Sequence, residues 1–162
     1  MGAGKTTVGL LLADRLQREF VDVDHEIEKR HGMPVTEIFK TLGEPAFRNI
    51  EREFIVDRCK AAKRQIVSLG GGAFMQEPVR DVCLNGSIVF YLEITWERWK
   101  DRVQLIKDTR PMLQQRTMEE IEQLFHARHA VYSLSHYCIR TDGSTPEEIA
   151  DAIIRTFASI AE

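Results

Sequence analysis

The sequence predicts an α/β fold with a parallel sheet covered by helices on both faces. Short apolar segments alternate with amphipathic segments of helical period through the 162 residues, and a glycine-rich turn leads directly into the first amphipathic segment. Strands that alternate with helices form parallel sheets, which bind ligands beyond the carboxyl ends of their strands. Residues that follow a strand are therefore the first candidates for function. The length of the chain predicts one domain.

The first half of the chain is predicted to hold one long helix, a short strand and a helical hairpin. A helix over residues 5–19 is indicated by apolar residues at the spacing of one helical face, Val8, Leu11, Leu12 and Leu16. The strand over 20–24 ends in acid, and Asp24 can cap the next helix, over 25–31. Pro34 and Gly43 then punctuate a pair of helices that runs to about residue 62.

The second half is predicted to supply three more strands, over 65–69, 87–94 and 137–141. Helices are expected over 96–105 and 118–134, and the polar stretch between them, 106–116, shows no period. The last helix has a clear start, because Thr145 is a good N-cap, Pro146 suits the first helical position and a glutamate stands three residues after the cap.

Composition and charge indicate a soluble intracellular protein. The net charge of −3 argues against a surface that binds nucleic acid or an anionic membrane, so anionic ligands must meet local basic clusters. The three cysteines, Cys59, Cys83 and Cys138, are widely spaced without a Cys-x-x-Cys pair, which favours reduced thiols over a disulfide framework or a zinc site. No apolar run is as long as the about 18 residues that are needed to span a bilayer. We expect a cytoplasmic location.

Residues 1–7, Met-Gly-Ala-Gly-Lys-Thr-Thr, match the second half of a phosphate-binding loop that reads Gly, four residues, Gly-Lys-Ser/Thr. Gly4, Lys5 and Thr6 are its second glycine, lysine and threonine. Phosphoryl transfer needs a cation beside the β- and γ-phosphates and a hydroxyl on Mg²⁺, both at a helix N-terminus. The alternative is a glycine turn that only starts a helix. Ahead of an amphipathic helix, the pattern favours nucleotide binding.

Two carboxylates, Asp22 and Asp24, stand two residues apart at a predicted strand end. Side chains at i and i+2 of an extended chain face the same way, so both can approach a metal-phosphate and a substrate hydroxyl. The alternative is that Asp24 only caps the following helix. Because the phosphate loop is present, we favour a functional role.

An arginine, a glycine triplet and a second arginine are further candidates. Arg48 and Glu51 are spaced i, i+3 on a helix, so the carboxylate can orient the guanidinium to capture a carboxylate or phosphate, unless the pair is an ordinary exposed salt bridge. Gly70-Gly71-Gly72 after an apolar strand lets a ligand approach bare backbone. Arg128 and Tyr132, at i, i+4, suit a site or a surface pair equally.

The polar stretch over 106–116 contains Asp108-Thr109-Arg110-Pro111. Loops of this length without secondary structure of their own are often lids that close over a site and exclude water. Arg110 is therefore predicted to reach over bound phosphates.

Together these segments resemble shikimate kinases, which belong to the P-loop folds similar to nucleoside-monophosphate kinases. Six segments match in the right order over nearly the whole chain, which makes the resemblance specific. They are Met-Gly-Ala-Gly-Lys-Thr-Thr at 1–7, Phe-Val-Asp-Val-Asp at 20–24, Gly-Glu-Pro-Ala-Phe-Arg-Asn-Ile-Glu at 43–51, Leu-Gly-Gly-Gly-Ala at 69–73, Thr-Arg-Pro-Met-Leu at 109–113 and Arg-His-Ala-Val-Tyr at 128–132.

The resemblance implies a three-layer P-loop kinase fold over residues 1–162, with five strands in the family and four in this chain. It implies a substrate-binding helical region at about 25–62 and a mobile lid at about 106–116. The implied reaction moves the γ-phosphoryl group of MgATP to the 3-hydroxyl of shikimate. The implied ligands are ATP, Mg²⁺ and shikimate, with neither nucleic acid nor membrane as a partner, and the enzyme is expected to be a monomer.

The resemblance also implies a role for each candidate residue. The nucleotide would contact Gly2, Ala3, Gly4, Lys5, Thr6, Thr7 and Arg110, with Arg102 and Pro146 near the adenine. Thr6 and Asp22 would hold Mg²⁺. The shikimate site would comprise Asp24, Arg48, Gly70, Gly71, Gly72 and Arg128. Lys5, Asp24 and Arg110 would carry the catalysis, with Asp24 on the substrate hydroxyls.

One part of the family pattern falls before Met1, namely the first loop glycine and the apolar strand that leads into it. In this fold family that strand is central, so a gap is expected between the strands at 65–69 and 87–94. We therefore expect Met1 to be an internal methionine of a longer natural chain. Two alternatives to a shikimate kinase stay open: another small-metabolite kinase, such as gluconate kinase, and a non-catalytic shikimate-kinase-like module.

Overall fold

The computed structural model describes residues 3–61, 64–106 and 113–160. Within these ranges it has four strands and eight helices, which alternate broadly as the sequence predicts. In chain order they are α1 (Lys5–Leu16), β1 (Glu19–Asp22), α2 (Val23–His31), α3 (Val35–Leu42), α4 (Glu44–Ala61), β2 (Gln65–Ser68), α5 (Glu77–Gly86), β3 (Phe90–Glu93), α6 (Trp96–Ile106), α7 (Met118–Tyr132), β4 (Tyr137–Arg140) and α8 (Pro146–Ile160).

The strands pair in parallel, as predicted, in two sheets of two strands each. β1 pairs with β2 from Glu19 opposite Gln65 to Asp22 opposite Ser68. β3 pairs with β4 in the same direction. In the described part of the chain, β2 and β3 lie in different sheets, which agrees with the gap expected between them.

Two hydrophobic clusters hold helices against these strands. The first cluster joins α1, α6, α7 and α8 to strand residues that include Ile66 and Leu92. The second cluster joins α2, α3, α4 and α5 to strand residues that include Val21. Because strand side chains enter both clusters, helices cover both faces of the strands, and the predicted layered α/β fold is confirmed.

The structure corrects the predicted junction between the first strand and the helix after it. β1 ends at Asp22, and α2 begins at Val23. The N-cap is Asp22, which is extended at φ −95° and accepts a hydrogen bond from the His25 N–H at 3.2 Å. The prediction that Asp24 caps this helix is wrong, because Asp22 already satisfies the free N–H and Asp24 lies inside the first turn.

Other boundaries differ by a few residues. α1 ends at Leu16 because Gln17 adopts a left-handed conformation at φ 50°. β3 is shorter than the predicted 87–94, and α5 was not predicted. The α5 sequence buries only Val79 and Cys83 on its inner face, too few apolar residues to reveal a helical period.

The start of the last helix is confirmed. The Glu148 N–H donates to Thr145 Oγ1 at 3.2 Å, and the Thr145 N–H donates to Glu148 Oε2 at 2.8 Å, which is a complete capping box. Within the described ranges, no helix combines the length and apolarity needed to cross a bilayer. Most of the predicted lid, with Arg110, lies outside the described residues.

Candidate active site

The start of α1 has the geometry of a glycine turn that leads into a helix. Gly4 precedes the helix with φ 81°, a left-handed conformation that glycine adopts without steric cost, and its carbonyl accepts the Val8 N–H at 3.0 Å. Lys5 is the first helical residue. Backbone N–H groups and the positive end of the helix dipole at a helix N-terminus attract phosphate. Ala3 is buried in the first cluster, whereas Gly2 lies outside the described residues.

Two oxygen-bearing side chains meet beside this helix start. Thr6 Oγ1 donates a hydrogen bond to Asp22 Oδ2 at 3.2 Å, while the other oxygen of Asp22 caps α2. The hydrogen bond therefore ties the phosphate loop to the end of β1. The two residues for which the family resemblance implies a role at Mg²⁺ are neighbours in space.

The glycine loop after β2 packs against two carboxylates. A Cβ at Gly70 would lie 2.9 Å from Asp24 Oδ1 and 3.1 Å from Glu51 Oε1. At the first distance the Asp24 carboxylate would have to move, and the second is tighter than an ordinary contact, so glycine allows this close approach. Gly70 therefore brings the end of β2 into contact with Asp24 of α2 and Glu51 of α4.

Arg48 of α4 lies against the same loop and is held by a buried partner. Its Nη1 donates to Glu51 Oε2 at 2.6 Å, and the Glu51 side chain is 0% exposed. Gln76 Nε2 donates to the same oxygen at 2.9 Å. A Cβ at Gly72 would clash with the Arg48 guanidinium, which shows how closely that group approaches the loop. The alternative of an exposed salt bridge between Arg48 and Glu51 is wrong.

Burial governs the ionisation of Glu51. Loss of hydration raises the pKa of its carboxyl group, and the Arg48 guanidinium opposes that rise. Oε1 of Glu51 is buried without a hydrogen-bond partner in the part of the chain that the structure describes. It faces the same point at Gly70 as the Asp24 carboxylate.

Arg128 and Tyr132 reach the glycine loop from α7. The Tyr132 hydroxyl donates to the Gly71 carbonyl and contacts the Arg128 guanidinium. Arg128 is only 5% exposed, and burial lowers the pKa of its guanidinium, with a further lowering from the charge of Arg48. The alternative of a surface pair is therefore wrong. Two cations border one space next to the glycine loop.

The structure thus brings together most of the predicted acceptor residues. Asp24, Arg48, Gly70, Gly72 and Arg128 come from four separate segments and meet near the carboxyl ends of β1 and β2. This is the sheet edge where a parallel α/β fold binds ligands.

Other predicted positions lie apart from this meeting point or outside the description. Thr7 is exposed on α1, Arg102 is exposed on α6, and Pro146 is the first residue of α8. Their contact with a nucleotide stays a prediction, as does that of Arg110. Gln76 was missed, and the only signal for it is a polar residue shortly after the glycine triplet.

A glycine turn at a helix start, together with two largely buried arginines beside a second glycine loop, is typical of one class of protein. It is an ATP-dependent phosphotransferase of the P-loop kinase type. The chain belongs to the shikimate kinase family, since the family model described as "Shikimate kinase" matches residues 1–158.

Similar proteins support this assignment along nearly the whole chain. A shikimate kinase from Geobacillus thermodenitrificans is 50% identical over 157 residues, which cover 96% of this chain and 84% of that protein. One from Oceanobacillus iheyensis is 48% identical over 153 residues, covering 94% of this chain and 83% of that protein. The structure of the Acinetobacter baumannii shikimate kinase in complex with shikimate matches with a TM-score of 0.87 at 35% identity, covering 98% of this chain and 89% of that one. The predicted family and fold are confirmed.

Proposed function

We propose that the protein transfers the γ-phosphoryl group of ATP to the 3-hydroxyl of shikimate, giving shikimate 3-phosphate and ADP. The observation that carries this proposal is the convergence of Arg48, Asp24 and Arg128 on one glycine loop. A small acid with several hydroxyl groups needs cations for its carboxylate and an anion for its hydroxyls. Both are supplied here within one space.

On the acceptor side, Arg48 and Arg128 bind the substrate carboxylate. Arginine presents a planar fork of N–H donors that matches a carboxylate, and Glu51 keeps the Arg48 fork in a fixed orientation. Asp24 accepts a hydrogen bond from the attacking hydroxyl and takes its proton as the oxygen–phosphorus bond forms. The backbone of Gly70, Gly71 and Gly72 shapes the wall of the pocket.

On the nucleotide side, residues 2–7 bind the phosphates, and Lys5 offsets the charge that develops on the γ-phosphoryl group. Arg102 and Pro146 lie beside the adenine. Arg110, in a lid over 106–116, closes over the phosphates and keeps water from accepting the phosphoryl group.

Thr6 and Asp22 fit a magnesium site. Their side-chain oxygens lie 3.2 Å apart at the phosphate loop, and oxygen donors are those that Mg²⁺ prefers. Magnesium usually takes few ligands from the protein and the rest from phosphates and water, so this pair suffices. A Mg²⁺ ion held by Thr6 and Asp22 would supply charge neutralisation to the transferred phosphoryl group.

The enzyme is further proposed to act as a monomer in the cytoplasm. The three free cysteines support a reducing compartment. Size-exclusion chromatography with light scattering measures the oligomeric state directly, and a dimer mass at micromolar concentration would contradict the monomer.

A coupled assay for ADP release tests the reaction. We expect ADP release in the presence of ATP, Mg²⁺ and shikimate, and only a background rate without an acceptor. Equal or faster release with gluconate, or with an acceptor that lacks a carboxylate, would show that the substrate is wrong. No release with any acceptor would favour a non-catalytic module.

A further inference from the structure

One hydroxyl group, that of Tyr132, joins two walls of the acceptor pocket. It donates a hydrogen bond to the Gly71 carbonyl, 61 residues away in the chain, and it contacts the guanidinium of Arg128, one helical turn earlier on α7. A tyrosine hydroxyl has one proton to donate and lone pairs that accept, so it can serve both partners at once. The glycine loop and α7 are thereby linked through a single oxygen atom.

The surroundings of Tyr132 keep this oxygen in place and protonated. The ring packs against the second cluster and lies 5.2 Å from the Tyr91 ring. Burial raises the pKa of the Tyr132 hydroxyl, although the nearby Arg128 charge acts in the opposite direction. The hydroxyl therefore remains a donor to the Gly71 carbonyl at neutral pH.

The Arg128 guanidinium gains an orientation from this contact. Its five N–H donors form a rigid planar fork, so a contact at one edge restricts the direction of the others. The group is buried, and a buried guanidinium that lost an acceptor oxygen would turn toward another partner. Tyr132 thus stands where it can set the angle at which Arg128 meets a substrate.

We propose that Tyr132 is a positioning residue for the acceptor, because its hydroxyl fixes Arg128 and the Gly71 backbone relative to each other. This inference rests on the proposed function, in which Arg128 binds the shikimate carboxylate. Tyr132 itself acts through these two groups and takes no part in the transfer of the phosphoryl group.

Tyr132→Phe removes the hydroxyl and keeps the ring. We expect the KM and Kd for shikimate to rise about tenfold, the size of one lost hydrogen bond to a charged group, with the KM for ATP within twofold of the wild type. The matched control is Tyr91→Phe, which removes a hydroxyl bonded to His129 on the same helix at 3.1 Å. The control should leave the KM for shikimate within twofold.

A second measurement compares shikimate with its methyl ester, which carries no negative charge. The Tyr132→Phe penalty on Kd should be about tenfold for the acid and less than twofold for the ester, because only the acid engages the Arg128 charge. Far-UV circular dichroism on both Phe variants establishes that each is folded.

The outcomes separate the two proposals. An active wild type with an unchanged KM for shikimate in Tyr132→Phe overturns the positioning role alone. Equal increases in the KM values for shikimate and ATP, or an equal penalty for acid and ester, overturn it as well. A wild type without shikimate-dependent ADP release overturns the proposed function.

Discussion

At the scale of single residues, Glu51 shows how a buried charge serves a binding site. It is fully buried, 2.6 Å from Arg48 Nη1, and it receives a second hydrogen bond from Gln76. Burying a carboxylate costs free energy that its partners must offset. In exchange, Glu51 holds Arg48 in one orientation before a ligand binds. This orientation reduces the conformational entropy that is lost on binding.

Glu51→Gln tests this arrangement. The variant leaves the Arg48 guanidinium, only 18% exposed, without its buried ionic partner. We expect the free energy of unfolding to fall by about 3 kcal/mol in urea titrations, with a higher KM for shikimate. The control is Glu44→Gln, because Glu44 also contacts Arg48, at 3.5 Å, yet is 43% exposed. It should cost less than about 1 kcal/mol, and equal losses in both variants would contradict the role of burial.

Cysteine ionisation gives a second test at this scale. A hydrogen bond from Cys83 lowers the pKa of the Cys59 thiol to about 7, although partial burial opposes the shift. Burial and Glu93 raise the pKa of the Cys138 thiol. Since the thiolate is the reactive form, maleimide labelling of Cys59 should rise through a midpoint near pH 7, while labelling of Cys138 requires higher pH.

Peptide mass spectrometry after short labelling pulses at several pH values measures each midpoint. The low midpoint should persist in Cys138→Ser and disappear in Cys59→Ser. If the low midpoint disappeared in the Cys138→Ser variant, the prediction that Cys59 is the reactive thiol would be wrong.

The candidate residues of the site could be predicted because their spacing is visible in the sequence. The burial of their side chains could not be predicted in this way. The i, i+3 spacing of Arg48 and Glu51 is visible in the sequence, yet it fits an exposed pair equally well. Only the fold shows that Glu51 is 0% exposed. Gln76 escaped prediction because its partner, Glu51, is 25 residues away along the chain.

At the scale of elements, the glycine loop after β2 is constrained by the side chains that pack against it. A Cβ would approach Asp24 and Glu51 at Gly70, and Arg48 at Gly72. Glycine at these two positions therefore leaves room for the candidate site side chains that pack against the loop. The sequence predicted a ligand-facing loop, and these contacts give the reason for two of its glycines.

Gly72→Ala should displace the Arg48 guanidinium from the loop. The displaced atoms form the far end of a flexible side chain, so the fold can adjust while the pocket cannot. We expect the KM for shikimate to rise at least about tenfold, since small displacements of positioning groups have large effects. The KM for ATP should stay near the wild-type value, and the melting temperature should fall by only a few degrees.

The control is Gly86→Ala at the end of α5, where a Cβ would meet no atom within 4 Å. It should leave the KM for shikimate and the melting temperature close to wild type. A Gly72→Ala variant with wild-type KM would mean that Arg48 binds no acceptor.

Helix starts were predictable where the signal is local. The capping box at Thr145 lies within four residues and was read from the sequence. The start of α2 was misplaced by two residues because Asp22 and Asp24 are both good N-caps. The choice between them depends on the length of β1, which pairs with a strand more than 40 residues later.

At the scale of the whole molecule, the two small sheets are joined through their side chains. β2 contributes Ile66 to the first cluster, while Leu69, directly after the strand, packs against the second. α7 likewise contributes Ile121 to the first cluster and Tyr132 to the second. The acceptor pocket lies where these shared elements meet. Sequence periodicity predicts each element but not which cluster its ends enter, because that depends on the assembled layers.

Because β2 and α7 contribute to both hydrophobic clusters, we expect the two clusters to unfold together. Ile38 in the second cluster and Ile121 in the first are both 0% exposed, so Ile38→Ala and Ile121→Ala should each cost about 2–5 kcal/mol. Both tryptophans, Trp96 and Trp99, belong to the first cluster, so their fluorescence reports on that cluster alone. Far-UV circular dichroism reports on the helices of both.

In urea titrations, each variant should lower the midpoint seen by fluorescence and the midpoint seen by circular dichroism by the same amount. The control is Leu42→Ala, one turn after Ile38 on α3 and 52% exposed, which should change neither midpoint much. If Ile38→Ala lowered the dichroism midpoint while tryptophan fluorescence kept its wild-type transition, the second cluster would unfold alone. Arg48 would then be lost from the pocket while Arg128 remained on a folded α7, and cooperative coupling of the two arginines through the fold would be ruled out.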